Sequence, residues 1–257
     1  MAEGRAGNNN YSGSSRASHR DIMIALKKPT GPRPLPRISV TKLGEYVGSR
    51  SAARRKTILV DQKYPKPFKT AIYNDCFDPL VGFFVDAAHN PAVVRAAITA
   101  IQSRTVATEA EEMRRQVNSQ ALDHLLKAAP SLPLDGIMFR KAPESTKPLL
   151  IAGVEVSIRP ELELVVTGKG GVVRYGLLKL YLSKSHPLTD DAGNYVATLV
   201  HSYASHRFTG PKSVDRKHCY VFDVFQEKLF VAPVNHTQRR KDINAACEEI
   251  ASRWPSL

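Results

Sequence analysis

Residues 154–184 read VEVSIRPELELVVTGKGGVVRYGLLKLYLSK, and the way they pair decides the fold. Val, Ile, Leu and Tyr recur with the short period of strands, and TGKGG (167–171) is a plain turn signal. The spacing predicts a three-strand meander. Side chains alternate along a strand. Val173, Tyr175, Leu177, Lys179 and Tyr181 therefore share one face, and Arg174, Gly176, Leu178, Leu180 and Leu182 share the other. Lys179 is thus a cation set between two leucines. A half-buried lysine needs a carboxylate partner. Antiparallel pairing through the TGKGG turn brings Glu161 or Glu163 to it. The same glycines join two strands and open no helix, so they do not form a phosphate loop.

Outward from this stretch, LLIAGVEVSI, ELELVV and VVRYGLLKLYLS supply the strands, and TDDAGNYVATLVHSYASHRF reads as a helix capped at Asp190 or Asp191. HCYVFDVF and KLFVAP make a second hairpin, and HTQRRKDINAACEEIASRW a last helix. Towards the N-terminus the text is helical. Ser39 or Thr41 caps a helix carrying Leu43, Tyr46 and Val47. Pro91 opens another, and TEAEEMRRQVNSQALDHLLKAA places acids early and bases late, as the helix dipole favours. The fold class is α+β (mixed α/β): a helical first half, then a β-β-β-α-β-β-α core. It is not a doubly wound sheet. Residues 1–36 are expected to be a disordered basic arm with a Pro-rich linker, 37–148 a helical region, and 149–257 the α/β core, the last two packed as one domain.

The composition narrows the function classes. Hydrophobic residues are 42% of 257, enough for a packed core. No apolar run is long enough to span a membrane and the first residues form no secretory signal, so a cytoplasmic protein is expected. The three cysteines are far apart, which argues against disulfides or structural zinc. The net charge is +13, and residues 1–66 hold 14 Lys and Arg against 4 Asp and Glu. Such an arm attracts polyanions by counterion release. DNA or RNA is the expected partner, and a protein partner or homo-oligomer the other possibility. Within this region Arg50, Arg54, Arg55, Lys56, Lys63, Lys66 and Lys69 cluster, with Tyr64 and Phe68 interleaved. Arginines suit phosphates and aromatic rings stack on bases. Arg50, Arg54, Arg55, Lys56, Lys63 and Tyr64 are therefore the candidate nucleic-acid contacts, and no base-reading motif accompanies them.

The meander, the lysine after a glycine-bearing turn and the helix that follows resemble the PD-(D/E)XK nuclease fold, particularly its RecB-like branch. That resemblance implies a helix-β-β-β-helix-β core, with an acid on the second strand and acid-x-Lys on the third binding divalent metal. GVEVSIRPELEL is similar to the second-strand motif, with Glu161 as its acid; RYGLLKLYLSK is similar to the third, with Lys179 as its lysine. Glu161 and Lys179 would be the catalytic pair, Glu161 and Glu163 the metal ligands, and Mg²⁺ or Mn²⁺ the cofactor of an active enzyme. The departure is Leu177, where the third-strand acid belongs. A leucine offers a hard cation no ligand. The expectation is a nucleic-acid-binding protein of nuclease-like fold, catalytically degenerate, in prokaryotic DNA processing or defence. The alternatives are an active metal-dependent nuclease with a migrated acid (Glu163, Glu155 or Glu45) and a protein-interaction or scaffold subunit without nucleic-acid binding.

The remaining signals are structural. His201 and His206 are five apart, one too many for a helical metal pair. Tyr195, Leu199 and Tyr203 recur every four residues, as a core-facing stripe does. His186, before Pro187, reads as an exposed loop histidine.

Overall fold

The computed structural model describes residues 31–65, 72–209 and 213–257. Among them it contains seven α-helices and eight strands, in a mixed α+β order. Strand β1 (Arg37–Ser39) leads into α1 (Val40–Gly48), then α2 (Ala52–Lys63), α3 (Asn74–Val85), α4 (Pro91–Gln102) and α5 (Glu109–Ala128). Strands β2 (Ile137–Lys141), β3 (Leu149–Ile151), β4 (Val154–Ser157), β5 (Leu162–Thr167) and β6 (Val173–Tyr181) follow. Helix α6 (Asp190–Arg207), β7 (Ser213–Asp223), β8 (Lys228–Val231) and α7 (His236–Arg253) complete the chain.

Local chemistry accounts for the helix starts. Ser39 and Ser51 cap α1 and α2, their hydroxyls accepting from the backbone N–H of Lys42 and Arg54. Thr108 and Glu111 form a reciprocal capping box on α5, whose first turn carries three glutamates. The α6 cap is Thr189 rather than Asp190 or Asp191; the two aspartates occupy the first turn, where their charge still meets the dipole. Residues 1–30, including the greater part of the expected arm, and Lys66, Phe68 and Lys69 lie outside the described residues. The last few residues of the expected linker are docked. The Arg33 N–H donates to Lys63 O at 2.9 Å, Trp254 Nε1 donates to Arg33 O at 3.1 Å, and the Glu155 N–H donates to Pro36 O at 2.9 Å.

Two sheets are built, in the orders β2-β5-β6-β7-β8 and β1-β4-β3. The expected meander is divided between them. β4 pairs with β3 and, in parallel, with β1, whereas β5 pairs with β2 and β6. The break falls at Pro160, which has no N–H for a ladder. The first strand of the large sheet's antiparallel set is therefore β2, a five-residue strand inside the segment expected to be helical. β5–β6 turns at the glycines as expected, with Gly170 and Gly171 at φ 73° and 76°. β6 and β7 run parallel, α6 being the crossover between them.

The alternation of β6 sorts the core. Leu177 and Tyr181 join α1, α2, α6, α7 and the small sheet in one cluster; Leu178 and Leu180 join α3, α4 and α5 in the other. The large sheet is thus covered on both faces. A bulge lies between Tyr175 and Leu177, where β6 comes so close to β7 that a Cβ on Gly176 would stand 1.9 Å from His218 O. On the outer layer, α1 rests on α6 with a similar close approach: a Cβ on Gly44 would be 2.4 Å from Val196 Cγ2.

Candidate functional site

The site expected around Lys179 forms where β5 begins. The Glu161 N–H donates to Leu178 O at 3.0 Å, the last ladder bond of that edge. Beyond it Pro160 has no N–H to donate to the ladder, and the Glu161 side chain takes over. Its Oε2 accepts the Leu180 N–H and its Oε1 accepts from Lys179 Nζ. The carboxylate thus stands in for the missing strand and neutralises the lysine. Both side chains are enclosed, Glu161 at 9% exposure and Lys179 at 15%. Burial pushes the Glu161 carboxyl above its usual range, and the Lys179 ammonium and Leu180 N–H oppose that shift.

Glu163, two residues on, does not reach this pair. It receives Arg207 Nε at 3.0 Å from the last turn of α6. Leu177 is wholly buried in the α6-side core. Glu45, on α1, sits nearer to Tyr181, whose hydroxyl lies 3.4 Å from Oε1. It is already engaged by Lys42 Nζ at 2.6 Å and Arg54 Nη2 at 2.8 Å. Glu155 faces Arg37 at 3.9 Å in the small sheet. Each carboxylate that might have served as a ligand is therefore held by its own cation. Among the described residues no group of three or more His, Cys, Asp or Glu is placed to hold a metal. The donor set does not fit Mg²⁺ or Mn²⁺, which need several hard oxygens converging on one point.

Two further polar groups near the end of β6 were not singled out by sequence. Tyr181 donates to His186 O at 2.5 Å, tying β6 to the loop before α6, and burial raises its phenol above the ordinary range. Asp223 is fully buried, accepting from the Leu188 N–H at 2.9 Å and Gln226 Nε2 at 2.6 Å. Its position at the end of an apolar strand, VFDVF, was the available signal.

The proposed nucleic-acid contacts divide in two. Arg54 pairs with Glu45, while Arg55 donates to Ser49 O at 2.9 Å, lies over the Tyr46 ring and approaches Glu249 at 3.7 Å. Lys63 Nζ donates to Trp254 O at 2.8 Å and Leu257 O at 3.1 Å, and the Tyr64 hydroxyl also donates to Leu257 O. These four clasp α2 to α1 and α7. Arg50 and Lys56 are exposed beside them.

The chain matches no known family model, no curated protein and no solved structure.

The histidines of α6 separate as their exposure differs. His206 is exposed, whereas His201 is buried with its ring 5.1 Å from that of His236, edge to face. Burial first, then Arg240, His236 and Arg216, lowers the His201 pKa to about 4. Leu199 and Tyr203 of the stripe are core, and Tyr195 donates to Asp242 on α7 at 2.9 Å.

Proposed function

We propose that this chain is a nucleic-acid-binding protein on a PD-(D/E)XK-like scaffold that has lost the metal-dependent reaction. Support for the scaffold is the order α5-β2-β5-β6-α6-β7, which follows helix-β-β-β-helix-β once β3–β4 is read as an insertion. Glu161 and Lys179 then occupy the second- and third-strand positions of that fold, facing each other across one ladder. The observation that carries the loss of catalysis is the closure of this pair: both carboxylate oxygens are used internally, and Leu177 is sealed in the core. Support for nucleic acid is the net charge of +13, concentrated in the first quarter of the chain, with Arg50 and Lys56 exposed beside it. A role in prokaryotic DNA processing or defence is the setting such a scaffold implies.

Binding of the full chain to labelled single-stranded DNA, duplex DNA and RNA over a salt series tests this reading. The expected result is affinity that falls steeply with salt, and no cleavage with Mg²⁺ or Mn²⁺. Absence of binding at low salt would favour the protein-interaction subunit instead. Metal-dependent cleavage abolished by Glu161→Gln, with the fold intact, would restore the active nuclease.

A further inference from the structure

A groove on the described surface lies away from the Glu161–Lys179 pair. One wall is the stretch from Ser145 to Ile151 that enters β3; the other is made by α6 and α7. It encloses about 850 Å³, within the range of roughly 300–1,000 Å³ usual for small-ligand sites. Its floor is apolar, with Leu199, Tyr203 and Ile243. Its cations are Lys147, Arg207 and Arg240, with the His206 imidazole beside them, and no aspartate or glutamate lines it.

That charge balance is unusual for a protein surface, where cations generally alternate with acids. Of the three, only Arg207 has a carboxylate partner among the described residues, Glu163. Arg240 is held by neutral groups: Nε donates to Ser202 Oγ at 3.1 Å, and Nη2 lies 3.5 Å from His201 Nδ1. Lys147 is exposed on the facing wall. Behind Arg240, around His201, Arg216 adds positive potential and Asp215 partly opposes it. Cations without a carboxylate partner on the two sides of a groove, here Arg240 and Lys147, concentrate anions, and a guanidinium held in place by neutral groups is ready for bidentate phosphate contact. The apolar floor calls for a ligand with a flat or hydrophobic body beside its charge.

We propose that this groove binds a nucleotide, its phosphate between Arg240 and Lys147 and its base over the apolar floor. The nucleotide comes either free or as one unit of a strand. The strand source rests on the nucleic-acid reading above; the free source does not.

The test titrates the full chain with ADP and UDP by calorimetry, and with a labelled oligo-dT or oligo-U by fluorescence anisotropy. It compares wild type, Lys147→Gln/Arg240→Gln and Arg50→Gln/Lys56→Gln. The groove variant is expected to weaken nucleotide or strand by about tenfold or more, two charge-assisted phosphate contacts being removed. Loss confined to ADP and UDP identifies a free nucleotide; loss that includes the oligonucleotide identifies the strand. If every affinity is unchanged in the groove variant, or if neither nucleotide nor strand binds wild type, the groove proposal is overturned. Strand binding lost only in Arg50→Gln/Lys56→Gln, with ADP and UDP affinities unchanged in the groove variant, would overturn it while leaving the nucleic-acid reading intact. Should the double variant fail to fold by circular dichroism, Lys147→Gln alone, on an exposed side chain, carries the same comparison.

Discussion

At the scale of single residues, Glu161 does two jobs with one carboxylate. It neutralises Lys179 and gives the Leu180 N–H the acceptor that a further strand residue would otherwise provide. Lys179→Ala leaves a buried carboxylate without its cation, and unfolding should become easier by about 3–5 kcal/mol in a denaturant titration. Lys179→Met combined with Glu161→Gln should cost much less, because no charge is stranded and the amide oxygen can still accept from Leu180. If the double variant is as unstable as the single one, the pair is more than a neutralised structural contact. Gly176 offers a sharper steric check. Its Cβ position is only 1.9 Å from the His218 carbonyl, so Gly176→Ala must push β6 and β7 apart. A loss of about 3 kcal/mol is expected, and an unchanged melting temperature would contradict the bulge. Strand parity and one glycine turn narrowed the Lys179 partner to Glu161 or Glu163, and the structure selects Glu161. The engagement of Glu163, Glu45 and Arg54 was not legible in sequence, since each partner comes from a helix whose rotation about its axis no local pattern records.

At the scale of elements, the strands after Pro148 were readable from their composition, but their assignment to sheets was not. VEVSI and ELELVV are equally strand-like, and only Pro160 between them signals a change of partner. β2, IMFRK, is too short and too charged for its alternation to stand out from a helical surrounding. The boundary of the N-terminal arm is a further element-level correction. Residues 1–30 have no core pattern, whereas Arg33 and Pro36 are bonded to α2, α7 and β4. Deleting 1–30 should leave the melting temperature nearly unchanged and weaken polyanion binding. Deleting through Pro36 should lower melting by several degrees, and equal melting of the two truncations would show the docking to be of no consequence. The basic helix α2 splits likewise. Arg50→Gln/Lys56→Gln should reduce the salt slope of nucleic-acid binding by roughly one unit per lost phosphate contact. Arg54→Gln/Arg55→Gln should instead cost about 0.5 kcal/mol of stability per pair, as partly exposed ion pairs do.

At the scale of the whole molecule, the burial of His201, reinforced by the neighbouring cations, sets a pH response. Its folded pKa of about 4 lies below the unfolded value of 6.5, so the unfolded chain takes up the proton first. The associated stability is complete above pH 6.5 and is lost as pH falls towards 4. Denaturant midpoints measured across this window should decline in the wild type and decline less in His201→Asn. Glu161 works in the opposite sense: its raised pKa means that its burial penalty is relieved by acid. The difference between wild type and His201→Asn isolates the histidine from that background. A parallel profile for the two proteins would mean that His201 titrates normally.

The clasp between α2 and α7 also orders events in time. Trp254 meets Arg33 across 221 positions of sequence, and Lys63 meets Trp254 across 191. β1, likewise, has no partner until β4 exists. β1 and α1 are thus among the last elements that can settle, for their ladder and packing surfaces are supplied by residues much later in the sequence. In pulse-labelled hydrogen exchange during refolding, amides of the α3–α5 layer, built from near neighbours in sequence, should be protected first. Those of β1 and α1 should follow only with α6 and α7 in place.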